Sequence, residues 1–296
     1  MRNVFRYTNT FVTRDRRQEH PASARPQDLY IDIDTARLRY RDEGAGPAVI
    51  FVHGWTLDLD MWEPQAAVLA ARYRVIRLDR RGFGLSSGEP SLVDDVTDLH
   101  TLCRHLRLQH VALVGMSQGA RVVLHMAHVS PAMVSCLVLD GSPRIGAAQD
   151  KPAAQELPYE DYRRLAQSQG VAAFRREWIR HPLTQLRTGS AQAHELLTRM
   201  VARYPGKDLI QPLPRPSVVT TLPMIQSIVP PVLVIGGALD IDSRRQFADE
   251  LVRELPRAAR AEIPGAGHLC NLDNPLAYTS ALQNFFELHA IAPAHH

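Results

Sequence analysis

Cysteine is scarce. Cys103, Cys136 and Cys270 are the three in 296 residues, and they lie far apart with no C-x-x-C pair. An odd, sparse set argues against a disulfide framework and for reduced thiols, the cytoplasmic pattern. Long apolar runs are missing too. None approaches the roughly 18 residues that a membrane-spanning helix needs, and the N-terminal stretch lacks the apolar core of a secretory signal. Charge of one sign is equally absent: 34 Lys and Arg stand against 31 Asp and Glu, a net +3. So small an excess gives no ground for a nucleic-acid partner. His, Cys and Asp nowhere cluster at metal-ligand spacing, and no G-x-G-x-x-G follows a strand-like run. No metal, cofactor, membrane or nucleic acid is therefore expected, and oligomeric state is not legible.

What charge there is lies unevenly. Residues 1–27 carry six arginines against Asp15 and Glu19 and show no strand or helix period. They read as a basic N-terminal tail, disordered or loosely docked. From Leu29 the pattern turns regular. Leu29, Ile31 and Ile33 alternate with polar residues, then Leu38 and Tyr40, as in an antiparallel pair at a sheet edge. Short apolar runs of the buried parallel-strand kind follow at 48–52, 73–78, 111–114, 134–139 and 231–235, with a weaker one at 261–263. Helical periods separate most of them, near 60–71, 92–107, 118–129, 243–254 and 275–289. Such alternation means a mostly parallel sheet covered on both faces. One interval breaks it. Between 144 and 226 no strand-like run occurs, and helical periods sit near 158–168, 171–180 and 191–204. This predicts a helical cap inserted into a core built from 28–143 and 227–292.

The chemistry concentrates in Gly115-Met116-Ser117-Gln118-Gly119, which directly follows the strand-like run ending at Val114 and opens a helix. That context suits a nucleophile elbow: the serine sits on a strained turn, flanking glycines leave room for neighbouring backbone, and the helix N-terminus faces developing negative charge. A serine hydroxyl needs a base at neutral pH. His268, in the glycine-bearing loop 264–268 after the last strand-like run, is the candidate by position. His53 precedes the serine in the chain, whereas the elbow's order is serine, acid, histidine. His125 and His128 lie on the helix after Ser117. The acid that orients the imidazole is expected at Asp240, after the run 232–235, with Asp140 a rival by geometry. Cys270, two residues past His268, is a second nucleophile candidate in a poorer context. Gly54 permits a turn that presents the Trp55 backbone N–H, and with the Gln118 N–H this makes a candidate oxyanion hole.

These residues, with Asp79-Arg80-Arg81-Gly82-Phe83-Gly84 and Ser86-Ser87, give the chain a resemblance to the α/β-hydrolase family over about residues 29–290. Within the family it looks most like the branch of esterases, enol-lactonases and cofactor-free haloperoxidases. The resemblance implies the α/β-hydrolase fold, a Ser117–His268–Asp240 triad and Trp55 as an oxyanion donor. Gln118 departs from the Met that usually follows the serine in haloperoxidase-like members. Ser117 also sets the chain apart from epoxide hydrolases and haloalkane dehalogenases, which use an Asp nucleophile.

The expected activity is hydrolysis of a small carboxylic ester or lactone through an acyl-enzyme on Ser117. Perhydrolysis or C–C bond hydrolysis on the same triad is the alternative, and a weakly catalytic ligand-binding protein is a third reading. Residues 151–220 hold eleven basic against six acidic side chains. If these faced inward they would favour an anionic substrate. If they faced water, Leu165, Val171, Phe174, Trp178, Leu196, Leu197 and Met200 would line an apolar pocket.

Overall fold

Eight strands form one sheet in a computed structural model that describes residues 26–146, 157–211 and 218–289. The tail expectation for residues 1–27 lies almost wholly outside the described residues. The strands are β1 (Leu29–Ile33), β2 (Ala36–Glu43), β3 (Ala48–Val52), β4 (Arg74–Leu78), β5 (Val111–Met116), β6 (Val134–Asp140), β7 (Val232–Gly237) and β8 (Ala258–Ile263). Their spatial order is β1-β2-β4-β3-β5-β6-β7-β8. β2 runs antiparallel to both its neighbours, and every other pairing is parallel.

The central strands read as unbroken apolar runs because both faces are covered. Val49 and Phe51 on β3 join one core, and Ile50 and Val52 join the other. The first core packs α1 (Glu63–Leu69) and α11 (Pro275–Leu288) through Trp62, Leu69, Tyr278 and Phe286. The second packs α2 (Leu92–His105), α3 (Gln118–Val129) and α9 (Asp242–Glu254) through Leu99, Val123 and Leu251. Local chemistry sets the helix starts. The Ser91 hydroxyl accepts from the Asp94 N–H ahead of α2, with Asp94 and Asp95 in the first turn. Asn274 caps α11 through the Ala277 N–H, and Pro275 opens it. The weak pattern of β8 has a plain cause: it is an edge strand, half-buried over its first three residues.

Between β6 and β7 the described chain is helical, with α4 (Tyr159–Gln169), α5 (Val171–Trp178), α6 (Ala191–Arg203), α7 (Lys207–Ile210) and α8 (Leu222–Gln226). Aromatic rings bind this segment to the loop after β3. Trp55 lies 5.5 Å from Phe174 and 4.9 Å from Trp178, ring centre to ring centre. A charged clamp adds to it: Arg203 on α6 reaches Asp58 at 2.7 Å and Asp60 at 2.6 Å. Hence most of the segment's apolar residues serve packing. Leu165, Phe174, Leu196, Leu197 and Met200 join or pack against the core cluster, and none of them lines the pocket that holds Ser117.

Candidate active site

β5 ends and α3 begins around a single residue. Ser117 has φ +53° and ψ −108°, a conformation that side-chain-bearing residues rarely adopt. Its backbone N–H donates to the Asp140 carbonyl at 2.8 Å, tying the turn to the end of β6. The flanking glycines are obligatory. A Cβ on Gly115 would come within 2.4 Å of the Gly119 carbonyl oxygen, and one on Gly119 within 2.2 Å of the Val52 oxygen. The tight approach of α3 to β3 is what lifts the serine above the sheet.

Ser117 and His268 line one pocket with Trp55, Gln118, Arg121 and Trp178, a space of about 680 Å³ counting its open mouth. Behind His268, its Nδ1 lies 2.8 Å from Asp240 Oδ2. The other Asp240 oxygen accepts from the Ile241 N–H at 2.8 Å. Burial pushes the Asp240 pKa up, and the charge and hydrogen bond of His268 outweigh it, holding the carboxyl below the usual range. Asp240 is thus an ionised acceptor that fixes the Nδ1–H tautomer and leaves Nε2 free for a proton.

The rival acid has a different setting. Asp140 is fully buried at the end of β6, and the Cys270 thiol donates to its Oδ1 at 3.4 Å. Burial, partly countered by His268, raises its pKa to about 7. Among the described residues the carboxylate bonded to His268 is Asp240. Burial and the neighbouring Asp140 also hold the Cys270 thiol protonated, well above the ordinary cysteine range. Cys270 does not line the pocket, so it lacks both the ionisation and the access of a nucleophile.

Trp55 and Gln118 both line the pocket. Neither backbone N–H meets an acceptor among the described residues. His53 holds the Trp55 turn in place. Its Nε2 accepts the Arg80 N–H at 2.9 Å, so Nδ1 carries the proton and donates to the Gly54 carbonyl at 2.7 Å. Burial, then the Arg80 charge, keep this imidazole neutral, far below the usual histidine pKa. Arg80 also donates to the Gln118 side-chain oxygen at 2.8 Å and pairs with buried Asp95 at 2.9 Å. One arginine therefore braces both sides of the candidate oxyanion hole. Sequence reading passed over Arg80 and His53 as a pair, since nothing in their spacing marks them as partners.

The segment between β6 and β7 contributes Leu157, Trp178, Leu183 and Thr184 to the pocket and none of its described arginines. Arg164, Arg176, Arg180, Arg187 and Arg199 are exposed. Arg164 and Arg180 pair one turn away with Asp161 and Glu177. The inward basic wall is thus corrected for the described residues, because the arginines there are exposed or bonded to a carboxylate or a backbone carbonyl, as Arg175 is to that of Tyr204. The purely apolar pocket is corrected as well. Arg121 on α3 and Arg244 on α9 line it from the core side.

Comparison with known proteins follows this geometry. BpoC of Mycobacterium tuberculosis, provisionally named a non-heme bromoperoxidase, is 30% identical over 268 residues, 84% of this chain and 97% of the relative. The 3-oxoadipate enol-lactonase 2 of Acinetobacter baylyi is 27% identical over 80% of this chain and 87% of its own. A thermophilic esterase from Thermogutta terrifontis superposes with a TM-score of 0.74 at 24% identity, over 89% of this chain and 99% of the other. The family described as alpha/beta hydrolase fold matches residues 47–275. A match over that span, on a sheet and elbow of this form, places the chain in the α/β hydrolase fold family.

Proposed function

We propose that the protein is a serine hydrolase that cleaves a small carboxylic ester or lactone, with 144–226 as a cap over the site. The observation that carries the reading is the 2.8 Å bond from His268 to Asp240 behind a histidine that shares its pocket with Ser117. In the reaction, Ser117 Oγ bonds to the carbonyl carbon as its proton passes to His268 Nε2. The carbonyl oxygen takes up negative charge against the Trp55 and Gln118 N–H groups. The C–O bond to the alcohol then breaks, and the alcohol leaves with the proton from His268. Water repeats the sequence: it gives a proton to His268, adds to the acyl carbon, and Ser117 departs reprotonated as the acid is released.

A second reading has one specific support, the bromoperoxidase name of the relative BpoC. Hydrogen peroxide in place of water at the second step would release a peracid instead of an acid. Both readings need acylation at Ser117. Labelling with a fluorophosphonate is expected at Ser117 alone and is expected to vanish in Ser117→Ala together with ester turnover. Labelling of another residue in the wild type would overturn the assignment. Rates with water against added peroxide then separate the two outcomes.

A further inference from the structure

Among the described residues, four that carry a side chain have φ in the left-handed region: Asp34, Thr56, Arg107 and Ser117. Asp34 and Arg107 are exposed turn residues. The other two flank the candidate oxyanion hole. Ser117 immediately precedes Gln118, and Thr56, at φ +62°, immediately follows Trp55. Thr56 is the more unusual of the two. A β-branched side chain suits this conformation poorly, and glycine or asparagine would hold the same turn at less cost. Thr56 is also wholly buried, so solvation does not account for its hydroxyl.

What threonine supplies there is an acceptor. Its Oγ1 takes the indole N–H of Trp178 at 2.6 Å, across 122 residues of chain. Trp178 ends α5 and is buried, and a buried N–H without a partner is costly. Valine has the shape of threonine without the oxygen, and glycine has neither. Trp178 is itself held. Its carbonyl accepts the Thr184 hydroxyl, its ring lies flat on His181 at 4.9 Å, and it meets the Trp55 ring edge-on at 4.9 Å. It also lines the pocket with Ser117 and His268. One fixed indole therefore joins the pocket wall to both the ring of Trp55 and the residue that follows it. We propose that Thr56 and Trp178 are a positioning pair, whose hydrogen bond holds the left-handed turn that aims the Trp55 N–H into the pocket. This rests on the hydrolase reading above, with Trp55 as an oxyanion donor. Neither residue exchanges a proton. Their effect falls on the step in which the carbonyl oxygen gains charge, and so on kcat more than on KM.

Three substitutions separate positioning from packing. Thr56→Val keeps the shape and removes the acceptor. Trp178→Phe keeps a ring and removes the donor, so it carries the comparison even where Thr56→Val does not fold. Thr56→Ser keeps the oxygen. With a p-nitrophenyl ester, Thr56→Val is expected to lower kcat by about 10- to 100-fold, with KM changed by less than about threefold, as for an oxyanion donor moved off its aim. Thr56→Ser is expected to stay near wild type. The double variant Thr56→Val with Trp178→Phe is expected to have a kcat no lower than that of the slower single variant, since one bond accounts for both losses. Losses of kcat that multiply in the double variant, or a lower thermal midpoint with kcat unchanged, overturn the proposal. The rate of fluorophosphonate labelling reads the pair without turnover, because the phosphoryl oxygen enters the same hole, and it is expected to fall with kcat. A wild type that is labelled at Ser117 but hydrolyses no ester rejects the hydrolase reading. The labelling rate of Thr56→Val then decides the pair: a slower rate keeps it and an equal rate overturns it.

Discussion

The indole N–H of Trp55 donates to Asp208 Oδ2 at 2.6 Å, linking the loop after β3 to α7 across 153 residues of chain. The Tyr204 hydroxyl binds the other Asp208 oxygen. The Trp55 backbone thus gains its position from its own side chain, and that side chain is held from the segment between β6 and β7. If Trp55 is an oxyanion donor, the helical segment sets its aim as well as covering the pocket.

Asp208→Ala leaves the Trp55 indole and the Tyr204 hydroxyl buried without an acceptor, a cost of about 1–3 kcal/mol each. The expected result is a lower thermal midpoint and a fall in kcat of about tenfold, with KM for a neutral ester changed less. Asp208→Asn keeps one acceptor oxygen and should recover part of both. Steady-state kinetics beside a melting curve separates positioning from bulk stability: equal losses of kcat in the two variants would show that the hydrogen bond is immaterial.

Asp240→Asn should cut kcat by roughly 10⁴-fold with little change in circular dichroism, the loss typical when a triad carboxylate becomes an amide. Asp140→Asn should cost less than about tenfold, since Asp140 bonds a thiol rather than the imidazole. The reverse order would make Asp140 the acid.

Stability should fall as pH rises through the neutral range. Asp140 and Asp58 have pKa values raised to about 7, in both cases first by burial, and Asp95 is raised to about 6. An unfolded Asp titrates near about 3.9. Between that value and the folded one the native state holds a proton that the unfolded chain has lost. Each group's stabilising contribution is complete below about pH 4 and drains away as pH climbs through 6 and 7. Asp140→Asn removes one of these sites. The drop in thermal midpoint from about pH 5 to about pH 8 should therefore be smaller in the variant than in wild type.

Gly141→Ala should abolish turnover while leaving the sheet intact. Gly141 has φ +59°, and a Cβ there would lie 2.6 Å from His268 Cε1. The imidazole must move to admit it, and displacement of a base by even an ångström costs about 100-fold. Retained activity would mean that His268 is not held where the geometry places it.

Much of this was legible from local pattern, and the remainder fails for identifiable reasons. The runs 48–52 and 118–129 match β3 and α3 at both ends, because glycine, proline and apolar period mark them within a few residues. The helix Cys270–Asp273 gave no signal, being shorter than the period that would reveal it. Ser117 stood out because its glycines are adjacent in sequence. Asp208 and the His53–Arg80 pair did not, since their meaning comes from neighbours 27 to 153 residues away. The basic composition of 151–220 suggested a charged pocket wall. Composition cannot tell an arginine that pairs along its own helix from one that faces a pocket, and the pocket's described cations, Arg121 and Arg244, lie on the core helices instead.

The left-handed backbone of Ser117 has a consequence for how this protein responds to selection. Ser117→Gly should raise the thermal midpoint while ending turnover. Glycine relieves a conformation that costs a side-chain-bearing residue about 1–3 kcal/mol, whereas Ser117→Ala keeps the Cβ and should gain far less. Calorimetry on the two variants checks this, and equal midpoints would mean that the turn is unstrained. Durability and catalysis therefore pull position 117 in opposite directions. A laboratory population screened for heat resistance alone is expected to accumulate glycine there, and would become hardier by discarding its chemistry.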